Sequence, residues 1–236
     1  MTTCLLVRHG QSEANVDGIL AGHLDSGLTD TGMVQVRRLA ETLATVAVRL
    51  VVTSPLQRCA VTAEQIVAAQ PERPHTHQDE RVVEVRYGAW TGRSLKELAS
   101  EHLWSTVQST PSSVTFPSDP VHASESMTAM ADRAWAAWQD WERTVAEAHG
   151  THAVWVLVSH GDVIKALLAR ALGLELDAFQ SIVVDPASVS VVHRMGDRLA
   201  VGAMNVRADL IDRLAEAASP SSEPAANAAT VGGGNA

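Results

Sequence analysis

Two short apolar segments, each running into a His-Gly pair, constrain the fold of this chain more than any other feature. Residues 4–7 are apolar and lead into Arg-His-Gly at 8–10, and residues 154–158 are apolar and lead into Ser-His-Gly at 159–161. Apolar runs of this length predict buried strands of a sheet. Ligands of open α/β sheets bind in the crevice outside the carboxyl ends of the strands. If the two strands are neighbours, two imidazoles and an arginine meet in one pocket, an arrangement that suits a phosphate.

The order of the other predicted elements indicates the fold class. Further strands are expected at 49–53, 188–194 and 199–205, a short extended segment at 81–85, and helices at 30–45, 54–69, 94–102, 124–149, 162–172 and 208–218. Thr29 is expected to cap the first of these helices, and Ser54 and Pro55 are expected as N-cap and first residue of the second. This alternation favours an α/β fold, a three-layer α/β/α sandwich with a mostly parallel central sheet.

Domain organisation follows from where the periodic pattern is interrupted. Residues 1–218 are expected to form a single domain, with a cap over the strand ends at about 85–125. Residues 219–236 are rich in Ala, Ser, Pro and Gly and are expected to be a disordered tail. Residues 71–79 are expected to be a Pro- and His-rich connection, and the Trp and Met residues of 127–141 are expected in the core.

Composition excludes several classes of partner. The formal net charge of -9 argues against nucleic acid, because nucleic-acid-binding domains present a basic face. A phosphate pocket needs only a few local cations and stays compatible with that charge. No apolar run approaches the roughly 20 residues that cross a bilayer, and no signal segment is visible, so we expect a soluble, cytoplasmic protein without a membrane partner. Cys4 and Cys59 provide no disulfide framework, and Cys4 is expected to be buried.

The first candidate for chemistry is the segment Arg8-His9-Gly10. A neutral imidazole nitrogen can attack phosphorus and give a phosphohistidine that water later hydrolyses. The Arg8 guanidinium presents a fixed fork of donors that matches phosphate oxygens, and Gly10 allows a ligand to approach closely. The alternative is an ordinary one, in which His9 ends a strand and hydrogen-bonds a carbonyl.

Three other segments supply polar residues that such a pocket needs. Asn15, in a glycine-punctuated loop, can donate its amide to a phosphate oxygen or serve in an Asx-turn. Arg58 lies in the first turn of a predicted helix, where either a bound phosphate or a nearby acid would offset its charge. Glu84 precedes aromatic residues; a shielded carboxyl can hold its proton near neutral pH and act as general acid and base, whereas the alternative is a surface glutamate.

The second His-Gly pair completes the set. His160 can donate to a phosphoryl oxygen, and Gly161 offers its amide at the start of a helix. Arg86 can contact substrate or form an external salt bridge. A metal site built from His9, His23 and His160 has little support, because the chain has no His-Glu-x-x-His motif and no dense carboxylate cluster. Neither a metal nor another cofactor is expected.

Together these segments resemble the histidine phosphatase superfamily, the phosphoglycerate mutase-like group. The resemblance covers about residues 3 to 205, and its motifs follow the family's order: Leu-Val-Arg-His-Gly at 6–10, Asn15 and Gly22, Leu-Thr-x-x-Gly at 28–32, Ser-Pro-Leu-x-Arg at 54–58, Glu-x-x-Tyr-Gly-x-Trp-x-Gly at 84–92 and Val-Ser-His-Gly at 158–161. Residues 159–192 look particularly like actinobacterial members described as phosphomutases or phosphatases.

The resemblance implies a site that requires no metal and a small phosphorylated substrate. By carry-over, His9 would be the phosphorylated nucleophile and Glu84 the general acid and base. The residues implied around the phosphate are, as catalytic groups, Arg8, Arg58 and His160 and, as substrate-binding groups, Asn15, Gly22, Tyr87 and Gly161. A homodimer paired through the strand at 199–205 is left open.

Departures from the family pattern bear on the reaction type. Glycolytic mutases carry an arginine-rich insertion that holds the substrate carboxylate, whereas residues 102–122 contain no arginine here. Where phosphatases of the family often read Gly-Gly-Glu-Ser, this chain has Ala-Ser-Glu-Ser at 123–126, which leaves the role of Glu125 open. The expected function is a metal-independent phosphomonoesterase acting through phosphorylated His9. A phosphoglycerate mutase-type phosphomutase and a catalytically inactive phospho-ligand-binding adaptor remain the alternatives.

Overall fold

A computed structural model describes residues 1–208 of the chain. The tail expected at 219–236, and all but the first residue of the helix expected at 208–218, lie outside the described residues. No helix within 1–208 combines the length and apolar content needed to cross a bilayer.

A six-stranded sheet forms the centre of the structure. Its strands are β1 (Thr2–Arg8), β2 (Val48–Thr53), β3 (His75–Gln78), β4 (Val154–Ser159), β5 (Val189–Met195) and β6 (Arg198–Val206). They lie in the order β3-β2-β4-β1-β5-β6. The first four in that order are parallel, β5 runs antiparallel to β1, and β6 runs antiparallel to β5. The mostly parallel α/β sheet predicted from the sequence is therefore confirmed.

Helices cover both faces of this sheet. The α-helices of residues 1–208 are α1 (Glu13–Val16), α2 (Asp30–Leu43), α3 (Gln57–Ala69), α4 (Leu95–Leu98), α5 (His102–Ser109), α6 (Met127–His149) and α7 (Gly161–Ala171), and α2, α3, α6 and α7 are the ones that pack on the sheet. Successive side chains of a strand point to opposite faces, so Cys4 and Leu6 join the buried cluster under α6 and α7. Leu5 and Val7 join the cluster under α2 and α3. The result is the expected three-layer sandwich, with both faces of β1 buried.

The pairing of β1 with β4 positions the two His-Gly pairs. Arg8 is the partner of Ser159 in the parallel register, so both strands end at the same level of the sheet. The expected cap of α2 is also present, because the Thr29 hydroxyl accepts from the amide of Gly32 at 3.0 Å. The loop between β1 and α2 is thereby held at the carboxyl edge of the sheet.

The structure differs from the sequence predictions at three places between residues 54 and 85. Ser54 does not cap α3, which begins at Gln57 after Leu56; the Ser54 hydroxyl instead lies 2.8 Å from Nε2 of His160. The segment expected to be extended at 81–85 begins instead in a 3-10 helix at Glu80–Val82, which the Asp79 side chain caps, and the backbone becomes extended at Val83. Strand β3 lies in the expected connection instead, and its four residues are all exposed, so no hydrophobic alternation marked it.

Contacts within the excursion at 85–125 hold its later part against its first residues. Its helical part is two short helices, α4 and α5, rather than the single helix expected at 94–102. The Phe116 ring contacts those of Tyr87 and Trp90, with centroids 5.0 and 5.5 Å apart. Gly88 has φ +53°, and a Cβ there would lie 2.0 Å from the carbonyl oxygen of Pro117. This close approach leaves no room for a side chain at Gly88 and holds Pro117 against the backbone that follows Tyr87.

Candidate active site

The ends of β1 and β4 bring His9 and His160 together. The His9 amide donates to the Ser159 carbonyl at 3.1 Å, and the two imidazole centroids lie 5.2 Å apart in an edge-on contact. His9 is 3% exposed and His160 is fully buried. The spatial condition set by the sequence pattern, two imidazoles from distant segments in one place, is met.

A single hydrogen bond sets the orientation of the His9 ring. Nδ1 lies 2.7 Å from the carbonyl oxygen of Gly10, and a carbonyl can only accept, so Nδ1 carries the proton and Nε2 keeps its lone pair. Burial, and then the charges of Arg58 and Arg8, lower the pKa of His9 well below its ordinary 6.5. The ring is therefore neutral at neutral pH. The carbonyl contact that sequence reasoning counted as the ordinary alternative is what leaves Nε2 free for attack.

Arg58 is buried and bound to backbone rather than to an acid. Its guanidinium donates to the carbonyl of Gly22 at 2.8 Å and to that of Leu24 at 2.9 Å. The carboxylate of Asp25 accepts from the Gln57 amide at 2.7 Å, which places negative charge at the N-terminus of α3 where Arg58 is unfavourable. The loop at 22–25 therefore holds Arg58 in place.

Gly22 is required by this loop for two reasons. Its φ is +52°, and a Cβ would lie 2.9 Å from Cδ2 of Tyr87. Any other residue would be strained and would also press on the neighbouring ring.

Arg8 is 1% exposed and lies at the end of β1. Its Nη1 donates to the carbonyl of Val184 at 2.7 Å, while its Nε has no hydrogen-bond partner among the described residues. A buried donor of this kind is expected to meet a ligand or water. The loop that holds Arg8 also contacts the residue after β1, because the Ala187 amide donates to the His9 carbonyl at 3.0 Å.

His9 and Arg58 lie in the wall of a small cleft. Among the residues predicted from the sequence, the cleft is lined by His9, Asn15, Gly22, Arg58, Glu84 and Tyr87. Arg8, His160 and Gly161 are buried and are not part of this lining. The remaining wall residues are Ser12, Ile19 and Ala21.

The carbonyl oxygen of the Asn15 side chain caps the start of α1. Asn15 stands at the third position of α1 in a capping box, where its Oδ1 accepts from the Ser12 amide and hydroxyl at 3.0 Å each. The amide nitrogen, which these bonds do not use, is the group that can donate to a phosphate oxygen in the cleft.

Glu84 is a buried carboxyl and not a surface glutamate. It is 4% exposed, and its Oε1 accepts from the Val85 amide at 3.1 Å. Burial, followed by the negative charge of Asp162, raises the pKa of Glu84 from 4.5 to about 7, although Arg58 and Arg8 oppose the shift. A carboxyl with this pKa exchanges a proton readily at neutral pH.

Sequence reasoning missed several residues that support the site. Asp162 is fully buried and accepts from the Tyr87 hydroxyl at 2.7 Å, so Tyr87 turns its hydroxyl to Asp162 and its ring to the cleft. Ser54 contacts Nε2 of His160, and a Ser54 hydroxyl that donates there leaves the imidazole proton on Nδ1. The position of Asp162, directly after the second His-Gly pair, was the signal that could have drawn attention to it.

Two further residues considered from the sequence lie outside the reacting groups. Nε2 of His23 lies 2.8 Å from the Glu84 carbonyl oxygen, and the Glu125 carboxylate pairs with Arg133 at 2.6 Å. Within residues 1–208, no group of three or more His, Cys, Asp or Glu side chains is arranged to hold a metal ion.

Comparison with known proteins places this geometry in context. The profile of the histidine phosphatase superfamily (branch 1) matches residues 4–207. Phosphoserine phosphatase 1 of Hydrogenobacter thermophilus is 28% identical over 92% of this chain and 98% of its own length. A probable phosphoglycerate mutase, GpmB of Proteus mirabilis, is 31% identical over 81% of this chain and 85% of its own length. The solved structure of Bacillus stearothermophilus YhfR superposes with a TM-score of 0.71 at 26% identity, covering 86% of this chain and 96% of that one.

Proposed function

The chain belongs to the histidine phosphatase superfamily, and we propose that it is a metal-independent phosphomonoesterase that forms a phosphohistidine on His9. Its substrate is a small phosphorylated metabolite. The observation that carries the proposal is the bond from His9 Nδ1 to the Gly10 carbonyl, because it leaves Nε2 unprotonated in a cleft shared with Arg58 and Glu84.

In the first step, the phosphate monoester binds with its oxygens near Arg8, Arg58 and the Asn15 amide. Nε2 of His9 attacks phosphorus while the bond from phosphorus to the ester oxygen breaks. Glu84 in its protonated form donates its proton to that oxygen, so the product leaves as an alcohol. Fixed donors around the transferring group supply the charge stabilisation, and one such donor is worth roughly 3–4 kcal/mol.

In the second step, Glu84 is ionised and acts as a base. It accepts a proton from the water that attacks phosphorus, the bond from phosphorus to Nε2 breaks, and inorganic phosphate leaves. The His9 lone pair and the Glu84 proton are thereby restored. A pKa of about 7 suits Glu84 to both roles, since both the protonated and the ionised carboxyl are well populated at neutral pH.

A phosphomutase is the second candidate function, because the chain is also similar to a relative named as a probable phosphoglycerate mutase. The arginine-free segment 102–122 favours hydrolysis, because that region supplies the carboxylate-binding arginines of glycolytic mutases. An inactive adaptor is disfavoured by the presence of the full set of implied catalytic residues: Arg8, His9, Arg58, Glu84 and His160.

The test is a panel of phosphomonoesters that includes 3-phosphoglycerate. We expect release of inorganic phosphate by the wild type and its loss in His9→Ala. Isomerisation of 3-phosphoglycerate without net phosphate release, in the presence of bisphosphoglycerate, would replace the phosphatase with a mutase. Turnover that survives His9→Ala would refute His9 as the nucleophile, and no turnover on any ester would favour the adaptor.

We also propose a domain organisation, a cellular location and an assembly state for the enzyme. We propose that the described residues form one catalytic domain, with 85–125 as the cap that selects the substrate. Its close relatives are proposed to be actinobacterial and its location cytoplasmic, without nucleic acid as a partner. A homodimer paired through β6 is supported by the place of that strand at one edge of the described sheet. Size-exclusion chromatography with light scattering tests the dimer.

A further inference from the structure

Three carbonyl oxygens at and just before Glu84 converge on one guanidinium. Arg133, on α6, donates from Nη1 to the carbonyls of Arg81 and Val83, each at 2.8 Å. Its Nη2 donates to the carbonyl of Glu84 itself at 3.0 Å. Hydrogen bonds from a charged donor are about twice as strong as neutral ones. The backbone path into Glu84 is therefore fixed by a side chain from a different part of the chain.

Glu125 fixes the orientation of that guanidinium. Its Oε1 accepts from Nη2 of Arg133 at 2.6 Å and its Oε2 accepts from Nε at 3.0 Å, a bidentate pair. Oε1 also accepts from the Arg86 amide at 2.9 Å, and the Glu125 amide donates to the Arg86 carbonyl at 3.0 Å. The ion pair thus holds the backbone on both sides of Glu84.

The carboxylate of Glu125 is ionised under working conditions. Burial raises the pKa of Glu125, but the hydrogen bonds and charge of Arg133 outweigh it and keep the pKa below its ordinary value. His23 adds one more donor to the same place, since its Nε2 lies 2.8 Å from the Glu84 carbonyl oxygen.

Neither Arg133 nor Glu125 lines the cleft that contains His9, so neither is placed to touch the substrate. A partly buried ion pair is also a weak contributor to stability, because desolvation offsets much of the attraction. The contacts of Arg133 and Glu125 instead hold the backbone on both sides of Glu84 in position. We propose that Arg133, held by Glu125, is a positioning residue that fixes the Glu84 carboxyl against the leaving-group oxygen. This inference rests on the proposed function, in which Glu84 is the general acid.

The dependence of the rate on the leaving group separates positioning of an acid from a general loss of structure. An alkyl phosphate needs its leaving oxygen protonated, whereas p-nitrophenyl phosphate releases an acidic phenol that departs without help. A displacement of about 1 Å in a catalytic group can reduce a rate about 100-fold. Arg133→Lys keeps the charge but loses the planar fork. It should lower kcat/KM about 10- to 100-fold for an alkyl phosphate and less than about threefold for p-nitrophenyl phosphate.

Two further variants make the test robust. Arg143→Lys is the matched control, since Arg143 lies on the same helix, is 65% exposed and pairs with Asp140; it should change neither rate. Glu125→Gln removes the charge that orients Arg133 and should show the same preference for the aryl ester. If thermal melting shows that Arg133→Lys is unfolded, the comparison of the two esters is made with Glu125→Gln instead.

Glu84→Gln distinguishes failure of this inference from failure of the proposed function. If Glu84→Gln loses the alkyl phosphate selectively while folded Arg133→Lys and Glu125→Gln affect both esters equally or not at all, the positioning role is overturned and the phosphatase assignment stands. If Glu84→Gln keeps full activity on the alkyl phosphate, Glu84 is not the acid and the proposed mechanism fails. Selective loss in all three variants supports the positioning role.

Discussion

The pKa of Glu84 makes a quantitative prediction about the pH dependence of the enzyme. At pH 7 a carboxyl with a pKa of about 7 is protonated in about half of the molecules, whereas at its ordinary value of 4.5 about one molecule in 300 would be. The shift of about 2.5 units corresponds to about 3 kcal/mol. Burial, and then the charges of Arg58 and Arg8, lower the pKa of His9 well below 6.5, so His9 is neutral at pH 7 and above. The alkaline limb of kcat/KM should therefore belong to Glu84 and begin near pH 7.

Glu84→Gln tests this assignment. General acid catalysis contributes about 100- to 10,000-fold, so at pH 6 the variant should lose that factor in kcat/KM on an alkyl phosphate. Above pH 7 the wild-type rate should fall about tenfold per pH unit while the variant stays flat, so the ratio of the two rates should narrow.

The assay is phosphate release from the alkyl ester at fixed ionic strength, from about pH 5 to about pH 9. Glu72→Gln, at a side chain that is 92% exposed, is the control and should keep the wild-type profile. An alkaline limb near pH 7 that persists in Glu84→Gln would refute the reasoning.

Substitutions at Asp162, Glu84 and Gly88 test the electrostatics and the packing around the cleft. Asp162→Asn removes the charge that helps to raise the pKa of Glu84, so the alkaline limb should move to lower pH; a limb that stays in place contradicts this. Because the folded pKa of Glu84 exceeds its ordinary value, ionising it destabilises the fold as pH rises from 4.5 to 7. Glu84→Gln should therefore raise the free energy of unfolding at pH 8 by up to about 3 kcal/mol in urea titrations, and a less stable variant would count against it. Gly88→Ala, whose Cβ would meet the Pro117 carbonyl, should destabilise by more than Gly173→Ala, where φ is +70° and the space is open. The latter should lose only about 1–2 kcal/mol for its left-handed backbone, and equal losses in thermal melts would show that the clash is relieved.

Much of the fold could be predicted because buried strands and helix faces require apolar residues at regular positions in the sequence. β1 and β4 are buried on both faces and so read as continuous apolar runs. Strand β3 leaves no such mark, because its residues are exposed and its place is set by backbone pairing to β2. The 3-10 helix at Glu80–Val82 could not be predicted for a different reason: it is a single turn with one buried apolar residue, Val82, and so shows no helical periodicity.

In the candidate site, too, some residues could be predicted from local sequence and others could not. Residues that follow strand ends, such as His9 and His160, could be predicted because a parallel sheet brings its carboxyl ends together. Tyr87 and Asp162 are joined by a hydrogen bond across 75 positions of sequence, and no local pattern reports such a bond. The contacts of Glu125 could not be predicted either, because they depend on Arg133, which lies on α6 and donates to the Glu84 carbonyl.

The central claim is that Nε2 of His9 carries the phosphoryl group during turnover. Rapid mixing with excess substrate, followed by alkaline quench and tandem mass spectrometry, measures which residue is phosphorylated, and phosphorus NMR of the denatured phosphoenzyme distinguishes the two ring nitrogens. We expect one phosphoryl group on His9, attached at Nε2, because Nδ1 is engaged by the Gly10 carbonyl. Phosphate on Nδ1, on another residue, or turnover with no phosphoenzyme under conditions that preserve phosphohistidine would contradict the account.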